Sequence, residues 1–295
     1  MTLRGDGVVG CGEDVTYEAA VHDALTAEAF ADLTGEWTLD SFSEAVAARD
    51  RFPAGPPARP DFRHYRRWAL KSAALDLSLR QADASLSGAL DRTTARVRGL
   101  LDVRPGLGFK LDPTAAWPPA TFAELSETSA VRILDLKGHY EGTAVDQSPD
   151  RDLYERVFDF PDVVVEDPAI TDETRDLVMA NAGRVSFDAP ITGVESVRSL
   201  PFEPSWLNVK PSRFGSVESL LETIEWASAR DVSLYGGGQF ELDVGRAHVQ
   251  LLASLCYPDG PNDVAPMGYN DPDVPADPPA SPLAAPANSA GLGWE

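Results

Sequence analysis

The chain has 295 residues, a formal net charge of −22, and a hydrophobic fraction of 43%. These values are typical of a soluble globular protein with a sizeable core. A surface this acidic repels phosphate backbones, which argues against nucleic-acid binding. The sequence has no apolar run long enough to cross a membrane and no N-terminal signal peptide. The two cysteines, Cys11 and Cys256, form no disulfide framework, so we expect a cytoplasmic protein.

The first sixty residues are predicted to form a small unit of their own. Residues 7–17 read as an extended stretch punctuated by glycine, and residues 23–51 carry helical patterning. A proline-rich linker follows over residues 52–60. Residues 64–90 then show the i, i+3, i+4 apolar spacing of one buried helix face, which predicts a single long helix.

Short apolar runs alternate with helical segments through the rest of the chain. Strand, helix and strand in repeated succession predict βαβ units and an α/β fold with a parallel sheet. Right-handed crossovers either close such a sheet into a barrel or leave it doubly wound. The predicted strands cover residues 107–111, 131–134, 163–165, 185–187, 207–209 and 232–235, and the helices cover residues 120–129, 150–158, 172–182, 216–230 and 244–256.

Five of the apolar runs end in a charged residue. In chain order these residues are Lys110, Asp135, Glu166, Asp188 and Lys210, spaced 22 to 31 positions apart. Charges at the carboxyl ends of barrel strands point into the mouth where active sites lie. Three carboxylates that converge there raise one another's pKa unless a cation joins them, and oxygen ligands suit Mg²⁺. The pattern therefore predicts a Mg²⁺ site flanked by lysines, which act as general bases when a partly dry cleft lowers their pKa.

The order Lys, Asp, Glu, Asp, Lys resembles the enolase superfamily, in particular its muconate-lactonizing and o-succinylbenzoate-synthase-like branch. Residues 235–246 (YGGGQFELDVGR) are similar to the Gly-Gly-x-x-Glu and Gly-Arg segment after the seventh strand of that family. Residues 261–266 resemble its turn after the last barrel helix, and residues 68–80 resemble its long helix between cap and barrel. The resemblance implies a (β/α) barrel with a partial N-terminal α+β capping domain.

The resemblance also implies a domain division and a role for each site residue. The division places a capping remnant at residues 1–60, the barrel at 61–270, and a tail at 271–295 that packs back on either. The implied catalytic lysines are Lys110 and Lys210, on opposite faces of the substrate, and the implied Mg²⁺ ligands are Asp135, Glu166 and Asp188. The expected substrate-binding residues are His139, Arg213, Gly237, Gly238 and Glu241, with Arg213 gripping a substrate carboxylate.

Three departures from the family pattern bear on the chemistry. Gly108 stands where the family commonly has a lysine, and Ala189 stands where it has an acid. Lys137 replaces an asparagine two positions after Asp135. Its ammonium group either competes with the metal or serves as a further catalytic or substrate-binding group. The segment between residues 90 and 107 is too short for a first barrel strand and its helix, so we expect an incomplete barrel or missing residues.

The resemblance implies an enzyme that removes the proton next to the carboxylate of a small molecule. The lysines act as bases, and Mg²⁺ stabilises the enediolate that forms. The reaction is either dehydration by a lyase or racemisation by an isomerase. The oligomeric state stays open, with a homo-oligomer as one option. One alternative is a metal-free barrel that binds a small carboxylate ligand or a protein partner. Another is a Schiff-base enzyme that uses Lys137 or Lys210.

Overall fold

A hairpin opens the chain in the computed structural model, which describes residues 1–97, 108–264, 273, 282–285 and 289–293. Strand β1 (Thr2–Gly5) pairs antiparallel with β2 (Val8–Cys11). Asp6 and Gly7 join them with positive φ values of 49° and 80°, which suits the right-handed twist of a two-residue hairpin. The predicted extended stretch is therefore one strand of this hairpin, and β1 was not foreseen.

The region predicted as helical over residues 23–51 consists of short helices. Helix α1 (Ala19–Asp23) and a 3-10 helix (Ala27–Leu33) precede α2 (Leu39–Ala47). Thr38 caps α2 because its hydroxyl accepts from the Ser41 amide at 3.1 Å, while the Ser41 hydroxyl accepts from the Thr38 amide at 3.0 Å. The buried side chains of α2 pack on the next helix to form a small core of their own.

The prediction of one helix over residues 64–90 is wrong. Helix α3 (Phe62–Gln81) ends before a turn, and α4 (Leu86–Leu90) begins after it. Asp83 lies in the turn with φ of 48°, a left-handed conformation that stops a helix, and Ser85 then caps α4 by accepting from Gly88.

Two glycines fix the contact between the hairpin and α3. A Cβ atom at Gly10 would lie 2.3 Å from the Ala73 carbonyl oxygen, and one at Gly12 would lie 2.1 Å from that of Ala69. Because such contacts are sterically forbidden, only glycine lets this segment run so close to the helix backbone. The Gly-Cys-Gly sequence thus serves the docking of the hairpin on α3.

Six parallel strands form the main sheet, and they lie side by side in the order in which they occur in the chain. A doubly wound sheet reverses direction at a switch point, whereas a barrel keeps sequence order, so the observed order favours the barrel alternative. The segment between residues 90 and 107, which we expect to be too short for a first barrel strand and its helix, lies outside the described residues over 98–107. The strands are β3 (Phe109–Leu111), β4 (Val131–Asp135), β5 (Val164–Glu166), β6 (Val185–Phe187), β7 (Trp206–Val209) and β8 (Ser233–Gly236).

Helices connect these strands and cover one face of the sheet. Their apolar sides form the main core with the outward-facing strand residues. The predicted segment 172–182 is divided into a helix and a 3-10 turn (Ala182–Arg184). The helices are α5 (Pro119–Glu127), α6 (Arg151–Phe158), α7 (Arg175–Ala180), α8 (Val194–Arg198), α9 (Pro211–Phe214), α10 (Val217–Ser228) and α11 (Val244–Cys256).

The inner face of the sheet carries a second, smaller apolar cluster. Ile133, Val164 and Tyr235 are buried there, with Trp206 packed against them. Side chains alternate between the two faces of a strand, so the residue two positions beyond each of these points inward as well. The inner face thereby leads to the polar residues at the carboxyl edge.

The described residues of the C-terminal stretch contact the N-terminal half of the chain. Leu283 forms a β-bridge with Val97, and the Leu292 amide donates to Asp76 of α3 at 2.8 Å. Among the described helices, none combines the length and the apolar character that a bilayer crossing requires.

Candidate functional site

The five charged residues predicted at strand ends lie at the carboxyl edge of the parallel sheet. Asp135 and Glu166 end β4 and β5 and are register partners. Asp188 and Lys210 directly follow β6 and β7, and Lys110 lies within β3. All three carboxylates are fully buried, whereas the two lysines are largely buried with their side chains 11% exposed.

Two lysines contact the Asp135 carboxylate. The Lys110 ammonium lies 3.2 Å from Asp135 Oδ2 and 2.5 Å from Glu166 Oε1, so it bridges the two acids. Burial would lower the pKa of Lys110, but Glu166, Asp135 and Asp188 outweigh it and hold that pKa well above its ordinary value, so the predicted lowering is wrong for this lysine. Lys137 contacts the same Asp135 oxygen through its ammonium group, and its backbone amide donates to Asp135 Oδ1 at 3.1 Å. Burial would raise the pKa of Asp135, but Lys110 and Lys137 outweigh it and hold that pKa below its ordinary value.

Glu166 lies at the centre of the cluster and receives neutral donors as well as Lys110. The Tyr235 hydroxyl donates to Glu166 Oε2 and lies 2.9 Å from Ser186 Oγ. The Asn208 amide nitrogen lies 3.3 Å from both Glu166 oxygens. Burial raises the pKa of Glu166 to about 8; Lys110 opposes this rise, and the neighbouring carboxylates add to it.

Asp167 is a fully buried fourth carboxylate that the sequence analysis did not single out. Its two oxygens accept from the backbone amides of Asp188 and Ala189, each at 2.8 Å. Burial and the charges of Asp188 and Asp135 raise the pKa of Asp167 to about 7, against the effect of the two amides. Its position next to Glu166 in the sequence was the available signal.

The acidic cluster fits a hard divalent cation in its donor atoms. Within the described residues, Asp135, Glu166 and Asp167 each offer a carboxylate oxygen, and these atoms lie within 4.8 Å of one another. Beside them, Asn208 Oδ1 is buried and has no hydrogen-bond partner in the described part of the chain. Oxygen donors of this kind suit Mg²⁺. The residues therefore fit the predicted metal, although Lys110 and Lys137 pair with the same oxygens.

Asp188, the third predicted ligand, is engaged by a different set of donors. Its oxygens lie 2.9 Å each from Lys210 Nζ, Arg213 Nη1 and the Tyr140 hydroxyl. Burial would raise the pKa of Asp188, but Arg213 and Lys210 hold it well below its ordinary value. Asp188 lies outside the three-carboxylate group that could hold a metal, so its role as a ligand stays a prediction.

Arg213 connects Asp188 to the loop after β8. Its guanidinium donates to the Tyr140 hydroxyl at 3.1 Å and to Gln239 Oε1 at 3.3 Å, besides its contact with Asp188. The Gln239 side-chain amide donates in turn to Tyr65 of α3 at 2.6 Å. The predicted binding of a substrate carboxylate by Arg213 stays a prediction, because the described hydrogen bonds of its guanidinium are all to groups of the protein.

Glu241 and the neighbouring glycines shape this loop. Glu241 is 2% exposed and accepts from the Gln239 amide at 2.6 Å and from Ser212 Oγ at 3.3 Å. A Cβ atom at Gly237 would lie 3.0 Å from Asn208 Oδ1, and one at Gly238 would lie 2.7 Å from Glu241 Oε2. These residues hold the loop against the site, and their predicted contacts with a substrate stay predictions.

A cavity of 370 Å³ opens above Arg213 and Gln239. The two charged pairs at its wall and floor, Arg59 with Asp61 and Arg213 with Asp188, are already matched. Burial lowers the pKa of both histidines in its wall, which keeps them neutral near pH 7. The cavity thus presents mainly neutral rings, those of Tyr17, His64, Tyr65, His139, Tyr140 and Phe240.

Several residues of the site were missed by the sequence analysis. Asn208 and Tyr235 precede Lys210 and Gly237 by two positions, so strand alternation could have placed both on the inner face. Tyr140, Gln239 and Asp112 lie in loops, where the sequence carries no periodic signal.

The sequence belongs to a family whose activity has no description. Residues 1–89 match the model described as the N-terminal domain of the Domain of unknown function DUF8230, and residues 84–271 match the model of its C-terminal domain. The chain belongs to this family. A search of curated proteins finds no match.

Solved structures with a similar fold come from the enolase superfamily. A member of unknown function from Enterococcus faecalis V583 has a TM-score of 0.70 at 18% identity, over 98% of this chain and 84% of its own. A dipeptide epimerase from Methylococcus capsulatus, complexed with Mg and the dipeptide L-Arg-D-Lys, has 0.69 at 20%, over 99% and 90%. The muconate lactonizing enzyme from Pseudomonas putida has 0.69 at 18%, over 99% and 90%. The predicted enolase-superfamily resemblance is confirmed at the level of the fold.

Proposed function

We propose that this DUF8230 protein with the enolase-superfamily fold is an enzyme that removes the proton next to the carboxylate of a small molecule. The observation that carries the proposal is the meeting of Lys110, Lys210 and four buried carboxylates at the carboxyl edge of the parallel sheet. Active sites of barrel enzymes lie at this edge.

Lys110 and Lys210 are the proposed acid and base. They come from different strands and pair with different carboxylates, Lys110 with Glu166 and Lys210 with Asp188. Proton transfer on opposite faces of a carbon needs two separate groups, and this placement supplies them. Both ammonium groups are largely buried, which limits their exchange of protons with bulk water.

Asp135, Glu166 and either Asp167 or Asp188 are the proposed holders of Mg²⁺. A bound divalent cation would supply the positive charge that stabilises the developing enediolate. Asn208, with its free amide oxygen, and Tyr235 hold Glu166 in place through their hydrogen bonds. Hydrogen bonds to a metal-binding carboxylate fix its orientation in this way.

The proposed substrate is a small carboxylate whose body enters the cavity above Arg213. The dipeptide epimerase of similar fold holds a dipeptide together with Mg. We propose an isomerase or a lyase. The candidate reactions are racemisation, epimerisation, and dehydration as in the synthesis of o-succinylbenzoate. A fold shared with several activities does not choose among them.

A second candidate function is a metal-free barrel that binds a small carboxylate or a protein partner. The observation in its favour is the pairing of Lys110 and Lys137 with the carboxylates that would hold the metal. In that case the site needs no cation for charge balance.

Proton exchange in D₂O tests the proposed enzyme. N-acyl amino acids, dipeptides and cyclohexadiene carboxylates are incubated with the protein and Mg²⁺, and loss of the α-proton signal is followed by NMR. We expect exchange with one of these classes. Lys210→Arg should then lower its rate about 10²- to 10⁴-fold, because arginine keeps the charge beside Asp188 but does not act as a base.

Lys110→Arg provides the corresponding test on the other face of the substrate. Lys71→Arg is the matched control, because Lys71 lies on α3 and contacts none of the carboxylates of the site. Exchange that continues unchanged in both Lys110→Arg and Lys210→Arg would contradict the proposed roles. Ligand binding without exchange in all three substrate classes would favour the second candidate.

A further inference from the structure

Positive side chains already contact the carboxylates of the buried cluster before any metal enters. Four fully buried carboxylates, Asp135, Glu166, Asp167 and Asp188, face four cationic groups. A divalent cation would add two positive charges to a site that excludes water. Like charges that cannot be screened repel strongly, so a metal at the Asp135 oxygen competes with the ammonium groups of Lys110 and Lys137 that contact it.

Three of the four cationic groups have no carboxylate outside the cluster among their described contacts. Arg213 and Lys210 both pair with Asp188. Lys110 is held between Asp135 and Glu166, which are themselves in the cluster. A shift of any of these groups would leave a cation or an acid buried without its partner.

Lys137 differs because a second carboxylate lies outside the cluster. Its ammonium contacts Asp135 and lies 3.5 Å from Asp112 Oδ2, whose side chain is 51% exposed. The Tyr140 ring lies 5.3 Å from the same ammonium and offers a further cation–π contact. The Lys137 side chain can therefore leave Asp135 and remain paired at the protein surface.

The backbone around Lys137 is held in place by its contacts, so a change of partner involves the side chain alone. Lys137 has φ of 53°, and its amide is held by Asp135. A Cβ atom at the next residue, Gly138, would lie 2.3 Å from the Ala169 amide nitrogen, so the loop is packed tightly against its neighbour. Movement is thereby confined to the lysine side chain.

We propose that Lys137 is a tethered cation that occupies Asp135 in the absence of metal and moves to Asp112 when a divalent cation binds. This inference rests on the proposed function for its metal. Asp112 is then the carboxylate that pairs with Lys137 in the metal-bound protein. Because Lys137 competes for Asp135, the protein binds the metal more weakly than the same carboxylates would without the lysine.

Binding of Mn²⁺, measured by the loss of its free EPR signal, tests the proposal without any substrate. Lys137→Met keeps the aliphatic stem and removes the charge, so we expect it to bind Mn²⁺ at least tenfold more tightly than the unaltered chain. Asp112→Asn removes the alternative carboxylate partner of Lys137, so this variant should bind Mn²⁺ several-fold more weakly. Lys71→Met is the control for the loss of a lysine elsewhere and should leave binding unchanged.

The double variant separates competition from a general change of charge. In a Lys137→Met background, Asp112→Asn should have little effect on Mn²⁺ binding, because no lysine is then present to pair with Asp112. Equal or weaker Mn²⁺ binding by a folded Lys137→Met protein would overturn the proposal, and so would an Asp112→Asn effect that persists in the double variant. If no substrate exchanges its proton but the variants change Mn²⁺ binding as expected, the result would contradict the proposed function and leave the role of Lys137 intact.

Discussion

Asp135 and Asp188 are equally buried, yet the protein holds them in different ways. Asp188 is contacted by Lys210, Arg213 and Tyr140, and both Arg213 and Tyr140 also contact each other. Asp135 is contacted by two lysines, each of which also has another carboxylate within reach. Asp188 and the three groups that contact it thus form a fixed frame. At Asp135, by contrast, a metal ion can take the place of the Lys137 ammonium.

The amino-acid composition reinforces this contrast. The chain has only four lysines, and three of them, Lys110, Lys137 and Lys210, belong to this site. Arginine supplies most of the other positive charge. Lysine shifts its pKa more readily and reorients more freely than arginine. The residues that transfer protons or change partners are therefore lysines, and the cross-linking residue of the frame is Arg213.

The largest expected difference between the two sides is in stability. Asp188→Asn leaves Lys210 and Arg213 without their shared carboxylate and should lower the free energy of unfolding by about 3–5 kcal/mol. Asp135→Asn should cost less, about 1–3 kcal/mol, because Lys110 keeps Glu166 and Lys137 keeps Asp112. Urea unfolding of both variants in the presence of EDTA measures the difference.

Asp176→Asn gives the control for an ion pair on the surface. Asp176 pairs with Arg151 at 2.9 Å, but both side chains are well exposed, so no measurable change is expected. An Asp135→Asn variant less stable than Asp188→Asn would reverse the comparison and remove the basis for a fixed frame around Asp188.

A further effect is expected from pH. Glu166 and Asp167 have folded-state pKa values of about 8 and about 7, well above those of an unfolded chain, near 4. The folded protein then binds more protons than the unfolded one, so its stability falls as the pH rises from about 4 to about 8. Asp188 acts in the opposite sense, because its pKa is lowered and its contribution is lost only as the pH falls below about 4.

We therefore expect the metal-free protein to lose stability between pH 5 and pH 8. Glu166→Gln should remove a large part of this loss, because the amide does not titrate. Mg²⁺ at pH 8 should restore stability to the unaltered chain. A stability that rises over this range, in the absence of metal, would show that the central carboxylates are charged and fully compensated.

Most of the barrel architecture could be predicted from the sequence. The mainly apolar runs at 131–134, 185–187 and 207–209 coincide with strands to within a residue, because most residues of these strands are buried. The turn after Gln81 was missed, since apolar spacing continues across it, although Asp83 has a left-handed φ and Ser85 is extended. The hairpin strand β1 was missed because its four residues alternate between exposed and half-buried.

The site was predicted less completely than the fold. Strand-end charges gave the five central residues because each follows an apolar run at a regular distance. Tyr140 and Gln239 reach the site from loops, and their contacts with Arg213 depend on tertiary structure alone. Asp112 was missed for a related reason, since an exposed acid after a strand carries no signal of its nearness to Lys137.

Crystallography can locate a bound metal and the Lys137 side chain in one experiment. Crystals soaked in Mn²⁺ and measured at the manganese absorption edge would show its anomalous scattering. The account predicts a peak about 2.0–2.6 Å from carboxylate oxygens of both Asp135 and Glu166, with the Lys137 ammonium beside Asp112. The same map would show whether Asp167 or Asp188 is the third ligand. No peak at these carboxylates, with Lys137 still on Asp135, would contradict the account.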